Sequence, residues 1–373
     1  MTKSNRGPIY VTQPVLPDIE KVYVKLREIW GGKQLTNNGP LLHRFKVALQ
    51  KQLNTQYLSL CCNGTMALQL ACKALGLSGE VITTPFTFAA TGHALAWNNL
   101  KPVFCDIDPY TFNIDPDKIE ALITPATTAI LPVHVFGHPC DTYKIQSLAD
   151  QYKLKVIYDA AHCFGVELLG EPISSFGDVS IFSFHATKIF HTFEGGMVVC
   201  KDAETERLID TAKNFGFELG LEVLTPGTNG KMNEFQAAIG LLMLDLFEEE
   251  IEKRRVLTQI YKERLSQIPG ISFQREAVGT KHNYLNLTIC VNEEFGIDRD
   301  ALFLILKDQN IFTRKYFYPL LSQMQCYNNG QWNLPVAEQI ASMVLSLPLY
   351  GNLEIEALHF ICDTIEASQT RGN

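Results

Sequence analysis

Three things are missing from this 373-residue chain. No stretch of about 18 residues is apolar without interruption, so nothing in it reads as a membrane-crossing helix. No long basic tract is present either. The formal net charge of -8 argues against nucleic acid or an anionic membrane as the main partner, because phosphate surfaces are bound by a positive excess. Finally, the 10 cysteines form no CxxC pair and no zinc-type spacing; apart from Cys61-Cys62 they are scattered singly. They read as small buried hydrophobes in a reducing compartment, and no metal site is expected. The opening MTKSNRGPIYVTQPVLPD lacks the apolar core of a signal peptide, so a cytoplasmic protein is expected.

What is present is a soluble globular composition, 46% hydrophobic and 19% charged. The length allows one large domain and a smaller one. Short apolar runs rich in β-branched residues alternate with segments of helical period. The strands are expected around Gly79–Thr84, Pro102–Asp106, Thr128–His134, Lys155–Asp159, Val179–Phe184 and Met197–Cys200, besides the strand-like YLSLCC. Helices are expected at Asn63–Leu75, Thr87–Trp97, Asp141–Tyr152 and Glu204–Asn214. This alternation predicts a mostly parallel sheet wrapped by helices. A long charged helical stretch, Glu234–Leu265, marks the change of domain. Beyond it HNYLNLTICV (282–291) reads as a strand, Arg299–Gln309 as a helix and Ile311–Tyr316 as a strand. The division predicted is a large domain over 1–250 and a small α+β domain over 251–373.

In a parallel sheet, ligands bind beyond the carboxyl ends of the strands. Asn63-Gly64-Thr65 sits at such an end, where its backbone N–H groups serve either a phosphate or an ordinary helix cap. Asp159 closes the run KVIYD and is followed by Ala160-Ala161-His162; it is either a cap or the partner of a cationic ring. Phe88 is either core or the face for a ring. Lys188 follows the strand-like FSF and precedes Glu194-Gly195-Gly196, and a lone lysine is ordinarily a solvated charge. Taken in order, phosphate cradle, aromatic, strand-end acid and lysine are the set that pyridoxal phosphate requires.

These residues resemble the DegT/DnrJ/EryC/StrS family of pyridoxal-phosphate sugar aminotransferases. The resemblance runs through LTNNGPLLHRF (35–45), NGTMALQLA (63–71), TPFTFAAT (84–91), PVFCDID (102–108), LPVHVFGHPCD (131–141), DAAHCFG (159–165), FSFHATKIFHTFEGG (182–196) and GTNGKMNEFQAAIGL (227–241). It implies an aspartate-aminotransferase-like, fold type I architecture and a homodimer with active sites at the subunit interface. By the same resemblance, Lys188 is the lysine that binds the cofactor covalently and then shuttles protons, and Asp159 the acid on the ring nitrogen. Phe88 stacks on the ring, Gly64, Thr65 and Ser183 hold the phosphate, and Asn229 reaches across from the partner subunit.

The chain departs from the family pattern at two points. Asn63 stands where a serine is usual, which removes a hydroxyl. His162 stands where glutamine is common; it can still bond the cofactor's ring hydroxyl, with a charge that varies near neutral pH. A dehydratase branch of the family carries histidine in place of Lys188, so transamination is expected here.

Within the family, VTQPxLP, LTNNGP and SFHATK most resemble enzymes acting on dTDP-4-keto-6-deoxyglucose, including the type that makes dTDP-4-amino-4,6-dideoxyglucose for glycans such as O-antigen lipopolysaccharide. Glutamate is the expected amino donor, with ping-pong kinetics. Amination at C3 of a dTDP-3-keto-6-deoxyhexose and a cofactor-binding homologue without turnover are the alternatives. Lys231, Tyr316 and Tyr318 fall where the family contacts nucleotide-sugar phosphates or sugar, although Lys231 also reads as a solvated charge. His185 and His191 flank Lys188, touching substrate or packing within the loop.

Overall fold

The computed structural model describes residues 7–218, 222–328 and 332–369. A seven-stranded sheet occupies its centre: β1 (Leu58–Cys61), β2 (Glu80–Thr83), β3 (Lys101–Phe104), β4 (Thr127–Leu131), β5 (Lys155–Asp159), β6 (Val179–Ser183) and β7 (Gly196–Cys200). The spatial order is β1-β7-β6-β5-β4-β2-β3, and every neighbour is parallel except β7, which runs antiparallel to β1 and β6. Strands covered on both faces must be apolar throughout, and Ile130, Leu131, Val156, Ile157, Ile181 and Val198 are each fully buried. Three of the helices around the sheet start on short polar side chains that satisfy otherwise orphaned N–H groups, whereas Ala89–Trp97 starts on Phe88 without a side-chain cap. The N–H of Met66 donates to Asn63 Oδ1 (2.8 Å), that of Lys144 to Asp141 (3.0 Å) and that of Thr205 to Asp202 (2.8 Å).

The helices Ile19–Gly32 and Pro40–Gln52 lie ahead of the sheet, where the sequence reading places no element. Pro40–Gln52 begins on Gly39, which offers no capping side chain. Its free N–H groups are met from far along the chain: Leu41 and Leu42 donate to the Glu234 carboxylate at 2.8 and 2.9 Å. A Cβ on residue 39 would lie 2.4 Å from Glu234 Cδ, so the glycine of LTNNGP makes room for that carboxylate.

A second, antiparallel sheet comprises β8 (Ile271–Phe273), β9 (Leu287–Val291) and β10 (Val344–Leu347), in that order. Leu257 and Tyr261, on the helix Phe247–Leu265, pack against it with Leu302, Leu306, Leu358 and Ile361. The N-terminal pair Ile9–Tyr10 joins this group by pairing in parallel with Ile311–Phe312, and Ile9 is part of its apolar core. Residues Phe317, Leu320 and Leu321 instead pack into the core of the large sheet. A buried ion pair, Arg254 with Glu250 at 2.6 Å, also bonds the carbonyls of Leu285 and Leu349 and the N–H of Gly351, tying the long helix to the segment ahead of β9.

Three expectations need correction. Glu234–Leu265 is two helices, Glu234–Leu244 and Phe247–Leu265, broken at Asp245-Leu246. The first half is apolar and buried nearly all round, whereas the second carries the charged face. The strand expected over 282–291 begins only at Leu287. Before it, His282 Nδ1 accepts the Tyr284 N–H (2.7 Å) and Asn283 donates to the carbonyls of His162 and Phe164, so side chains take bonds that a ladder would need. The strand expected over Ile311–Tyr316 is continuous only over Ile311–Phe312; Arg314 adds one antiparallel bridge to Ser346 of β10, and Tyr316 and Phe317 then line a cleft at the end of the large sheet.

Candidate active site

The cleft measures about 560 Å³ and opens at the carboxyl ends of β1, β5 and β6. Its walls bring together Gly64, Thr65, Phe88, Asp159, His162, Ser183, His185, Lys188 and Tyr316, which lie far apart in sequence. Two residues at the N-terminus, Val11 and Thr12, complete one side together with Asn286 and Arg314. None of these four is singled out by the sequence reading: Val11, Thr12 and Arg314 come together only through the tertiary pairing of Ile9–Tyr10 with Ile311–Phe312, and Asn286 enters from the segment ahead of β9.

At one end is a cradle. The helix Gly64–Ala74 points its N-terminus into the cleft, and an ideal Cβ on residue 64 would stand 2.9 Å from Ser183 Cβ. Glycine therefore lets the helix start approach the end of β6, leaving N–H groups of that first turn and the Ser183 hydroxyl together for an anion.

At the other end Asp159 is 5% exposed, and its two oxygens are separately engaged. Thr91 Oγ1 donates to Oδ2 (2.8 Å) and the Ala161 N–H to Oδ1 (3.1 Å). Thr87 hydrogen-bonds Thr91 in turn at 2.8 Å. Burial raises the acid's pKa, while these donors and Lys188 hold it down. No local pattern marks Thr91 as a partner of the acid; the helix Ala89–Trp97 delivers it there.

Lys188 is half-buried beside this acid. Loss of water lowers its amine from 10.5 to about 8, against the opposing pull of Asp159. His162 has its pKa lowered well below the ordinary value by burial first and by Lys188 second, so it is neutral at neutral pH. Its Nδ1 is buried with no partner among the described residues. Phe88 is 64% exposed on the cleft wall, so it is not core.

Other candidates sit differently. His191 is fully buried and bonds the Val15 carbonyl at 2.7 Å, as a packed loop residue does. His185 is exposed on the cleft wall, bonded to Thr187 at 2.8 Å and 3.7 Å from the Glu194 carboxylate. Lys231, Asn229 and Tyr318 do not line the cleft of their own chain. The Lys231 ammonium lies 4.6 Å from the centre of the Phe215 ring, and Tyr318 takes the Arg299 guanidinium over its ring. Among the described residues no group of three or more His, Cys, Asp or Glu is placed to hold a metal.

The residues fit pyridoxal phosphate on the chemistry of this structure: an anion cradle, an exposed aromatic face, a buried carboxylate for a cationic ring nitrogen, an orphaned imidazole nitrogen for a ring hydroxyl, and an amine that is half neutral near pH 8. Sheet and cleft together define a fold type I pyridoxal-phosphate-dependent transferase. Comparison with known proteins narrows the class: the chain belongs to the DegT/DnrJ/EryC1/StrS aminotransferase family, whose profile matches residues 18–366. It is similar to a dTDP-4-amino-4,6-dideoxy-D-glucose transaminase of Shigella dysenteriae, 48% identical over 360 residues, covering 96% of this chain and 98% of that protein. One of the same description from Escherichia coli is 44% identical over 359 residues, covering 94% and 96%. Among solved structures, DesI, described in the presence of its TDP-sugar product, superposes with a TM-score of 0.95 at 37% identity, covering 99% of this chain and 95% of DesI. The protein is thus an aminotransferase whose cofactor is pyridoxal 5'-phosphate.

Proposed function

We propose that the protein moves the amino group of L-glutamate to C4 of dTDP-4-keto-6-deoxyglucose, forming dTDP-4-amino-4,6-dideoxyglucose. The observation that carries this reading is the 48% identity, over nearly the full length of both chains, to a protein described as that transaminase. The intact Lys188 and Asp159 in one cleft support turnover over a purely cofactor-binding homologue. When bound, the cofactor supplies an aldehyde that carries the amino group and a ring that accepts the electron pair left at the donor's α-carbon.

The chain's own work is to hold and to move protons. Gly64, Thr65 and Ser183 anchor the phosphate, and Phe88 packs on the ring. Asp159 stays ionised beside the ring nitrogen, kept so by Thr91 and the Ala161 N–H against the pull of burial. His162, neutral, offers Nδ1 to the ring hydroxyl. Lys188 is the covalent anchor and then carries a proton between the substrate carbon and the cofactor carbon, a task suited to an amine lowered to about 8. His185, Tyr316 and Arg314 face the substrate, Arg314 adding a cation where a carboxylate or diphosphate enters. Asn229 acts across a homodimer interface, and Lys231 and Tyr318 reach substrate in that assembly. Glutamate reacts and 2-oxoglutarate leaves before the sugar is handled, giving ping-pong kinetics, and the enzyme works in the cytoplasm on a sugar bound for glycan assembly.

Incubation with pyridoxal phosphate, glutamate and the 4-keto sugar, followed by mass and NMR analysis, tests the proposal. An amine on C4 is expected. Nitrogen found only when a 3-keto sugar is supplied would move the reaction to C3, and a deoxygenated product without nitrogen would replace transamination by dehydration.

A further inference from the structure

Adjoining the cleft is a much smaller cavity of about 20 Å³, and Asn286 belongs to the walls of both. Four polar atoms of residues lining it lack a hydrogen-bond partner among the described residues: His138 Nδ1, Thr258 Oγ1, Gln274 Oε1 and His282 Nε2. All four residues are buried, Thr258 at 6% exposure and the others at 7%. One such atom is a tolerable cost, but four around one cavity indicate a shared ligand.

Hydrogen bonds on the far side of two of these groups, His282 and Gln274, fix what that ligand must offer them. His282 Nδ1 accepts the Tyr284 N–H at 2.7 Å, so the ring proton sits on Nε2 and points a donor at the cavity. The Gln274 amide nitrogen donates to the carbonyls of Thr111 (2.5 Å) and Val135 (3.2 Å), which leaves its oxygen as an acceptor. Burial lowers the pKa of both imidazoles, that of His282 to about 4, so neither ring is charged at neutral pH, and His138 Nδ1 accepts in the tautomer that carries its proton on Nε2. Thr258 can donate its hydroxyl proton.

We infer that this cavity binds a single water molecule that receives hydrogen bonds from His282 Nε2 and Thr258 Oγ1 and donates to Gln274 Oε1 and His138 Nδ1. Two donors and two acceptors match the capacity of one water, and the volume is enough for about one water molecule. A divalent metal would need a lone pair on His282 Nε2, where the local bonding places a proton. An anion would meet the lone pairs of Gln274 and His138 and the carboxylate of Glu276, which lines the same cavity and already holds the Lys262 ammonium at 2.5 Å.

The four partners come from separate parts of the chain: His138 from the loop after β4, Gln274 from the end of β8, His282 from the segment ahead of β9, and Thr258 from the helix Phe247–Leu265. The water thus pins the segment 282–286 in place. Asn283 of that segment donates to the carbonyl of His162 at 2.8 Å, and Asn286 faces the cleft. The water is therefore a positioning element for a wall of the active site.

A crystal structure of the cofactor-loaded protein, at a resolution that shows ordered solvent, tests this directly. One water-sized peak within hydrogen-bond distance of all four atoms is expected, with no anomalous signal. An empty cavity, an anomalous scatterer, or side chains turned to bond one another would overturn it. In solution, Thr258→Val and Gln274→Met are each expected to lower the unfolding midpoint by about 2–4 °C. The double variant should lose clearly less than the sum, because both changes weaken one water site. Fully additive losses would contradict a shared ligand.

Discussion

At Lys188 burial and a neighbouring carboxylate pull in opposite directions, and burial wins, leaving the amine at about 8. Below that pH the amine is protonated and cannot attack an aldehyde; above it the neutral form dominates. Covalent capture of pyridoxal phosphate by the cofactor-free protein should therefore quicken as pH rises to about 8 and level off beyond. Borohydride fixation followed by mass measurement reads that rate, and a climb continuing to pH 10.5, the ordinary lysine value, would contradict the account. Thr91 works on the other partner. Thr91→Val removes a hydrogen bond to an acid already raised by burial, so the carboxyl should titrate higher still and kcat should fall about tenfold, with the acid limb of the pH profile moved upward. A kcat profile identical to the parent's would remove Thr91 from this role. Asp159 and Lys188 are legible in the sequence because each follows an apolar strand. Thr91 is not, since nothing local says that it meets residue 159.

Among the elements, the strands of the large sheet are legible because burial on both faces makes them short continuous apolar runs, and polar caps mark several of the helices around them, though not Ala89–Trp97. The segment Glu234–Leu265 misleads because helical period persists across Asp245-Leu246, although the two halves meet different surroundings. The helix Pro40–Gln52 shows another limit, for its cap comes from Glu234 rather than from a neighbour. Glu234 is 2% exposed and serves two N–H donors, so Glu234→Ala leaves both without a partner. Urea unfolding should show a loss of about 3 kcal/mol. Glu234→Gln keeps one acceptor oxygen and should lose less. Equal losses for the two variants would mean that the side chain matters for packing and not for the cap.

For the whole molecule the question is where Asn229 acts, since it lies off the cleft of its own chain. If it serves the partner's site, inactive Lys188→Ala and Asn229→Ala proteins, unfolded and refolded together, should regain about a quarter of parental activity. Half of the dimers are then mixed, and each mixed dimer holds one intact site. No recovery would place Asn229 and Lys188 in the same subunit's site, and an Asn229→Ala protein active on its own would place Asn229 in none. The central claim, that this one cleft takes nitrogen from glutamate and delivers it to the sugar in a separate step, is tested most directly by splitting the reaction in time. Protein loaded with pyridoxal phosphate is exposed to glutamate, freed of all small molecules by desalting, and then given dTDP-4-keto-6-deoxyglucose alone. The account predicts one equivalent of the C4 amine per Lys188 site with no glutamate present. Amine that forms only when glutamate and sugar are supplied together would contradict it.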